Sequence, residues 1–378
     1  MKRLAFVALA LVLGLGTLEL GSRLVEPLLQ SSPRTHPVYG SDDPRFLVLD
    51  PECGYRLRAH SEGTYLARTG ARRPYRINGI GCADGELQGD GTRVEALFLG
   101  DSCTFGEGLE GSEPAYHQLL ESRLRPGVPE SNFLNAGIPG YSSPKALAWY
   151  RRDLARLRPR VVVIWIGWND RWWAQNDPDW IRQFASLSQS GDTLMGQSAL
   201  IRVMQTILTP ISRRWHHAQF ARNRPPWRPI CEPIQFRENL LSLIRICQEG
   251  GSIPILMTQM SGARRLKDVP EWMIEGGALP DYKLFFTLLD AYNQMIRDVA
   301  RKRDLTLVDL DVSLKSQSAS ALFDRPNLDP VHPNAAGHRA IADLLEPILR
   351  KLLYGNESQG DDGPLLKNKV TDPTRSPR

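Results

Sequence analysis

Five residues of this chain have the types and settings that acyl transfer needs. Ser102 stands in ALFLGDSCTFGEG, residues 96–108, just after an apolar run that stops at Gly100. A serine hydroxyl attacks a carbonyl only when a base takes its proton, and that base needs an acceptor to orient it. The segment DPVHPN, residues 329–334, supplies both, since Asp329 can accept from Nδ1 of His332 while Nε2 faces the hydroxyl. Pro330 and Pro333 stiffen the turn that carries the pair. The tetrahedral intermediate then needs donors for its oxyanion, each worth about 3 to 4 kcal/mol. Three candidates are the Ser102 amide, the backbone N–H of Gly140 in NAGIPGYSS (residues 135–143) and the side-chain amide of Asn169 in GWND (residues 167–170). This chemistry calls for no metal and no cofactor.

These residues must be brought together by the elements around them. Apolar runs of strand length fall at 94–99, 132–136, 161–166, 253–257 and 305–310, and helical patterns fall at 113–125, 144–157, 236–249, 285–303 and 334–353. Short, nearly continuous apolar strands alternating with amphipathic helices indicate a parallel sheet covered on both faces. The expected fold class is therefore α/β, a doubly wound three-layer α/β/α sandwich. Ligands of such sheets bind beyond the carboxyl ends of the strands. Ser102, the Gly140 loop and GWND follow the first three runs, and DPVHPN precedes the last helix.

The GDS, Gly140, GWND and DPVH blocks, in this order, resemble the four sequence blocks of the SGNH (GDSL-type) hydrolases. The resemblance matches Ser102 to the family's catalytic serine, Gly140 and Asn169 to its oxyanion glycine and asparagine, and Asp329 and His332 to its last block. It covers roughly residues 94–353, less an insertion. It implies a flavodoxin-like fold with a five-stranded parallel sheet, and hydrolysis of esters, often acetyl esters on carbohydrates or acyl esters of lipids. Two departures stand out: the first block reads GDSC rather than GDSL, and Trp168 lies between Gly167 and Asn169. Neither removes a catalytic group. YRINGIG, ahead of the GDS block, more loosely resembles a segment of the family's membrane-anchored bacterial members.

The expected reaction is thus a serine esterase's, with an acylated small molecule, glycan or lipid as substrate. The same groups serve an acyltransferase whose acceptor is a polysaccharide hydroxyl, and a non-catalytic binding protein is the more distant alternative. Ser102 taken alone would be a helix cap. Asp101 is expected to bond loop amides, Cys103 to fill space beside the site, and His338 to be solvated on the last helix. His216 and His217 lack a carboxylate or cysteine at ligand spacing.

The ends of the chain and one interval stand apart. Residues 1–30 carry Lys2 and Arg3 and then an apolar run from Leu4 to Leu18, shorter than the roughly 20 residues of a comfortable membrane span. They are expected to be an uncleaved anchor or a cleaved signal segment, with a buried soluble helix as the third reading; either of the first two puts the catalytic domain outside the cytoplasm, at the cell membrane or exported. Residues 31–92 read as an irregular lead-in with a small antiparallel element, 93–353 as the hydrolase domain, and 354–378 as a disordered tail. The insertion 171–233 carries Trp172, Trp173, Trp180, Trp215 and Trp227 and a basic run, and is expected to pack as a flap or bind ligand. A net charge of +5 in 378 residues does not indicate a nucleic-acid partner. The five cysteines lack C-x-x-C spacing, and the sequence leaves open whether Cys53 and Cys82 are bridged.

Overall fold

The computed structural model describes residues 14–25, 46–172, 198–200, 203–204 and 226–355, apart from 68, 84, 89–92, 129–130 and 276–277. The lead-in is more regular than its composition suggests. It forms two antiparallel hairpins, β1 (Leu47–Asp50) with β2 (Gly54–Leu57), and β3 (Ser61–Leu66) with β4 (Arg72–Ile77). Alternation explains the second: β4 buries Arg73, Tyr75 and Ile77 and exposes the residues between them. Both hairpins dock onto the main domain, the first through the Tyr55 hydroxyl donating to Pro139 O at 2.9 Å and the second through Tyr65 against Phe105 at 5.2 Å.

The five apolar runs become one parallel sheet of β5 (Val94–Gly100), β6 (Asn132–Gly137), β7 (Val161–Trp165), β8 (Ile253–Met257) and β9 (Thr306–Val308). Their spatial order is β6-β5-β7-β8-β9, the flavodoxin-like order for strands taken first to fifth. Every residue of β5, β6 and β7 is buried, which is why these strands read as continuous apolar runs. Helix α1 (Ser102–Phe105) follows β5. It is followed by α2 (Tyr116–Leu124), α3 (Ser143–Trp149), α4 (Pro233–Glu249), α5 (Tyr282–Lys302) and α6 (Ala335–Tyr354). The helices fall into two groups, α2 packed on α6, and α3 on α4 on α5, giving the three layers.

Two boundaries shift for local reasons. The last strand stops at Val308 rather than 310, because the Asp309 side chain accepts from Val312 N at 3.3 Å and starts a short helix, Leu310–Ser313. The pattern at 144–157 is helical throughout, but α3 passes through a π turn (Tyr150–Leu154) and a 3₁₀ turn (Ala155–Leu157). All five cysteines are buried and none forms a disulfide, so Cys53 and Cys82 are not bridged.

Register sets up the site. Gly100 pairs with Gly137 on one side and Trp165 on the other, so β5, β6 and β7 end level. The segments carrying Ser102, Gly140 and Asn169 therefore leave the same sheet edge. Among the described residues no helix is long and apolar enough to cross a membrane. The start of the apolar run (residues 1–13), the tail beyond 355, and Trp173, Trp180, Trp215, His216 and His217 lie outside the described residues. Trp172 and Trp227 are half-buried against the core, with Trp227 Nε1 donating to Ala278 O at 3.2 Å.

Candidate active site

Helix α1 can follow β5 so abruptly because glycines leave it room. A Cβ on Gly100 would come within 2.1 Å of Thr104 Oγ1 and 2.7 Å of the Trp165 carbonyl oxygen, and one on Gly137 within 2.3 Å of Phe105 N. Asp101 caps α1, its Oδ1 accepting from Cys103 N at 3.0 Å, which is the structural role expected of it. Its Oδ2 has no partner among the described residues, and burial pushes the carboxyl up to about 7. Cys103 is fully buried, with Sγ 3.5 Å from Val331 O, so it both fills space and touches the histidine loop. Burial pushes its thiol well up, and the sulfur is therefore neutral.

The DPVH turn is anchored from several sides before it reaches the serine. Trp272 Nε1 donates to Leu328 O at 2.9 Å, Gly262 N to Pro330 O at 2.8 Å, and Asp329 N to Arg325 O at 2.8 Å. Gly108, at φ 99°, lets the turn close in, since a Cβ there would lie 2.9 Å from Pro333 O and 3.0 Å from His332 Cβ.

Within this frame His332 Nε2 is 2.8 Å from Ser102 Oγ, and His332 Nδ1 is 2.7 Å from Asp329 Oδ2. Asp329 Oδ1 also accepts from the backbone N–H groups of Val331 and His332 at 3.1 and 3.2 Å. Burial opposes charge on Asp329, but the imidazole and these donors hold its carboxyl below the usual range. Burial likewise opposes charge on His332, but Asp329 and then Glu107 outweigh it and raise the imidazole to about 9.

The three oxyanion candidates all stand on segments that leave the carboxyl edge of the sheet. Tyr141 N donates to Ile138 O at 3.1 Å, closing a turn in which Gly140 takes φ 78°. Asn169 Nδ2 donates to Tyr141 O at 3.0 Å, and its second hydrogen has no acceptor among the described residues. The backbone N–H groups of Ser102 and Gly140 have no acceptor among the described residues.

Reading the sequence missed what holds these parts together. Asp170, next to Asn169, is fully buried and accepts from both the N–H and the hydroxyl of Ser143, which opens α3 after the Gly140 turn. Asn239 Nδ2 of α4 donates to Ser143 Oγ at 2.9 Å. Asp170 and Ser143 both sit inside the quoted blocks, so adjacency was the available signal. Glu107 was also missed: its Oε2 is 3.6 Å from His332 Nε2, and its signal was an acid inside the FGEG turn. Donor atoms of Glu107, Asp329 and His332 lie within 4.8 Å of one another, but the Asp329–His332 hydrogen bond engages two of them. Arg171 is fully buried over the Trp168 ring at 3.6 Å, and no pattern in the chain marked it.

His338 is not solvated, contrary to its expected position. The face of α6 that carries it packs on α2, where its Nδ1 accepts from Tyr116 N at 3.2 Å and its ring stacks on Tyr116. Burial holds its pKa well below the usual histidine range, so it is neutral.

A hydroxyl, an imidazole and a carboxylate in file at the carboxyl edge of a flavodoxin-like sheet, beside unpaired N–H donors, are the equipment of a hydrolase acting on esters. A profile of the GDSL-like lipase/acylhydrolase family matches residues 98–340, and the chain belongs to that family. No curated protein matches the chain. Among solved structures it is similar to a lipase/acylhydrolase from Enterococcus faecalis, at 17% identity and TM-score 0.42, over 69% of this chain and 95% of that one. It is also similar to a catalytic mutant of an acetylxylan esterase from Geobacillus stearothermophilus, at 19% identity and TM-score 0.41, over 68% and 93% of the two chains.

Proposed function

We propose that the protein is a serine esterase that removes acyl groups, acetyl foremost, from a carbohydrate or lipid alcohol through an acyl-enzyme on Ser102. The supporting observation is the file Ser102–His332–Asp329, with contacts of 2.8 and 2.7 Å. In this reading His332 Nε2 takes the Ser102 proton as Oγ attacks the ester carbonyl. The oxyanion receives hydrogen bonds from Ser102 N–H, Gly140 N–H and Asn169 Nδ2. His332 then gives its proton to the departing alkoxide, and Asp329 stabilises the imidazolium between the two transfers. Water, deprotonated by His332, attacks the acyl-enzyme and releases the acid and free Ser102.

The test is turnover of 4-nitrophenyl acetate by the full chain in detergent, beside Ser102→Ala. A fall of several thousandfold in the variant supports the reading, and equal rates overturn it. With a sugar hydroxyl in place of water, the same groups would transfer the acyl group to a polysaccharide. An acetylated oligosaccharide offered together with a free acceptor distinguishes free acetate from transferred acetate.

The N-terminal segment is read, in the same proposal, as an anchor with the catalytic domain outside the cytoplasm. Residues 14–25 are helical, and Leu15, Leu18, Leu20 and Leu24 on that helix are each more than half exposed, as expected of a surface meant for lipid. Release of the protein from membranes by alkaline carbonate, without detergent, would contradict the anchor.

A further inference from the structure

A second carboxylate faces the reacting imidazole. Glu107 Oε2 lies 3.6 Å from His332 Nε2, the nitrogen that also holds Ser102 Oγ at 2.8 Å, while Asp329 occupies the far side at Nδ1. Glu107 is fixed from two directions. Its backbone N–H donates to Ser102 O at 2.9 Å, so the turn that carries the serine also carries the acid. Tyr65, reaching in from β3, donates its hydroxyl to Oε2 at 2.8 Å. The side chain is only 12% exposed, and Oε1 has no hydrogen-bond partner among the described residues.

The Ser–His–Asp file does not require this acid, because Asp329 already orients the imidazole. Glu107 Oε1 has no donor among the described residues although the carboxylate lies beside the reacting nitrogen, and an acceptor so placed calls for a donor. The substrate can provide one. When the tetrahedral intermediate collapses, His332 Nε2 hands its proton to the leaving alcohol oxygen, which must therefore lie within hydrogen-bond reach of Nε2. The atoms next to that oxygen then fall beside Glu107.

We propose that Glu107, held by Tyr65, is a specificity-determining residue that accepts a hydrogen bond from a hydroxyl vicinal to the acylated oxygen, so that the enzyme selects partially acylated polyols. This rests on the esterase reading above and deepens it. A hydrogen bond to a charged acceptor is stronger than one between neutral groups, and an ester without the hydroxyl leaves Oε1 of a largely buried carboxylate without a donor. Tyr65 acts here as a positioning residue, bringing the lead-in hairpin into the site.

The test compares two acetates of matched size, 2-hydroxyethyl acetate and propyl acetate, with kcat/KM for each divided by its hydroxide-catalysed rate constant. Wild type is expected to favour the hydroxy ester by about 10-fold to 100-fold. In Glu107→Ala the ratio falls to near one, and in Tyr65→Phe to an intermediate value. Removing a merely structural acid would slow both esters by the same factor and leave the ratio unchanged. A wild-type ratio near one, or the wild-type ratio kept in Glu107→Ala, overturns the proposal. Should Glu107→Ala fail to fold, Glu107→Met, which keeps the length of the side chain and has no strong acceptor, carries the same comparison. Failure of the esterase reading looks different, with neither acetate consumed and 4-nitrophenyl acetate turned over equally by wild type and Ser102→Ala.

Discussion

The Asp170 carboxylate receives both the backbone N–H and the hydroxyl of Ser143, at 2.9 and 2.5 Å, and thereby joins the loop after β6 to the loop after β7. Those two loops carry Gly140 and Asn169. The spacing of the two proposed oxyanion donors thus depends on a buried acid outside the Ser102–His332–Asp329 file. Replacing Asp170 with Asn removes the charge and turns one of its acceptor oxygens into a donor. The expected result is a fall in kcat of about tenfold to a hundredfold with KM little changed, since the donors act on the transition state. Steady-state kinetics with a chromogenic acetate, beside Asn169→Ala, measures it.

The pH profile follows from the surroundings of His332. In the proposed mechanism its neutral form is the base; burial opposes the protonated form, but Asp329 and Glu107 outweigh it and raise the imidazole to about 9. Below that value most of the enzyme carries an imidazolium that cannot take the Ser102 proton. Hence kcat/KM should climb with pH through the neutral range and level off only toward 9, well above an ordinary histidine. Glu107→Gln removes one of the charges and should move the midpoint down. A pH–rate profile from 6 to 10, corrected for spontaneous hydrolysis, reads both.

Gly100→Ala tests the steric account of the strand-to-helix turn. The added methyl would meet Thr104 Oγ1 at 2.1 Å and Trp165 O at 2.7 Å, and backbone cannot give way cheaply inside a packed sheet. A loss of at least about 3 kcal/mol, or failure to fold, is expected. Gly85→Ala, where nothing lies within 4 Å, is the control and should change the unfolding midpoint little. Thermal unfolding followed by circular dichroism decides.

The two buried histidines should behave differently. His338→Leu strips the acceptor from the Tyr116 N–H at 3.2 Å and is expected to cost about 1 to 3 kcal/mol of stability. Once folded, the variant should keep the wild-type kcat and pH profile, because His338 reaches no reacting atom. His332→Ala should do the reverse, with stability roughly retained and activity lost. Urea unfolding and kinetics on both proteins separate the roles.

The amino-acid sequence by itself determined the sheet, its layers and the file of three catalytic candidates. Those depend on local pattern: continuous apolar runs make buried parallel strands, and blocks at strand ends must meet at one edge. His332 and Ser102, 230 positions apart, are therefore paired by pattern alone. Only the tertiary structure decided which side chains brace the file. Tyr65 reaches Glu107 across 42 positions, and Ser143 reaches Asp170 across 27, through loops whose paths no periodicity encodes. His338 went inside for the same reason, because the buried face of a helix is chosen by its neighbour. Hydrophobic period is a property of a segment, whereas a hydrogen bond between distant segments exists only once packing has brought both partners to the same place.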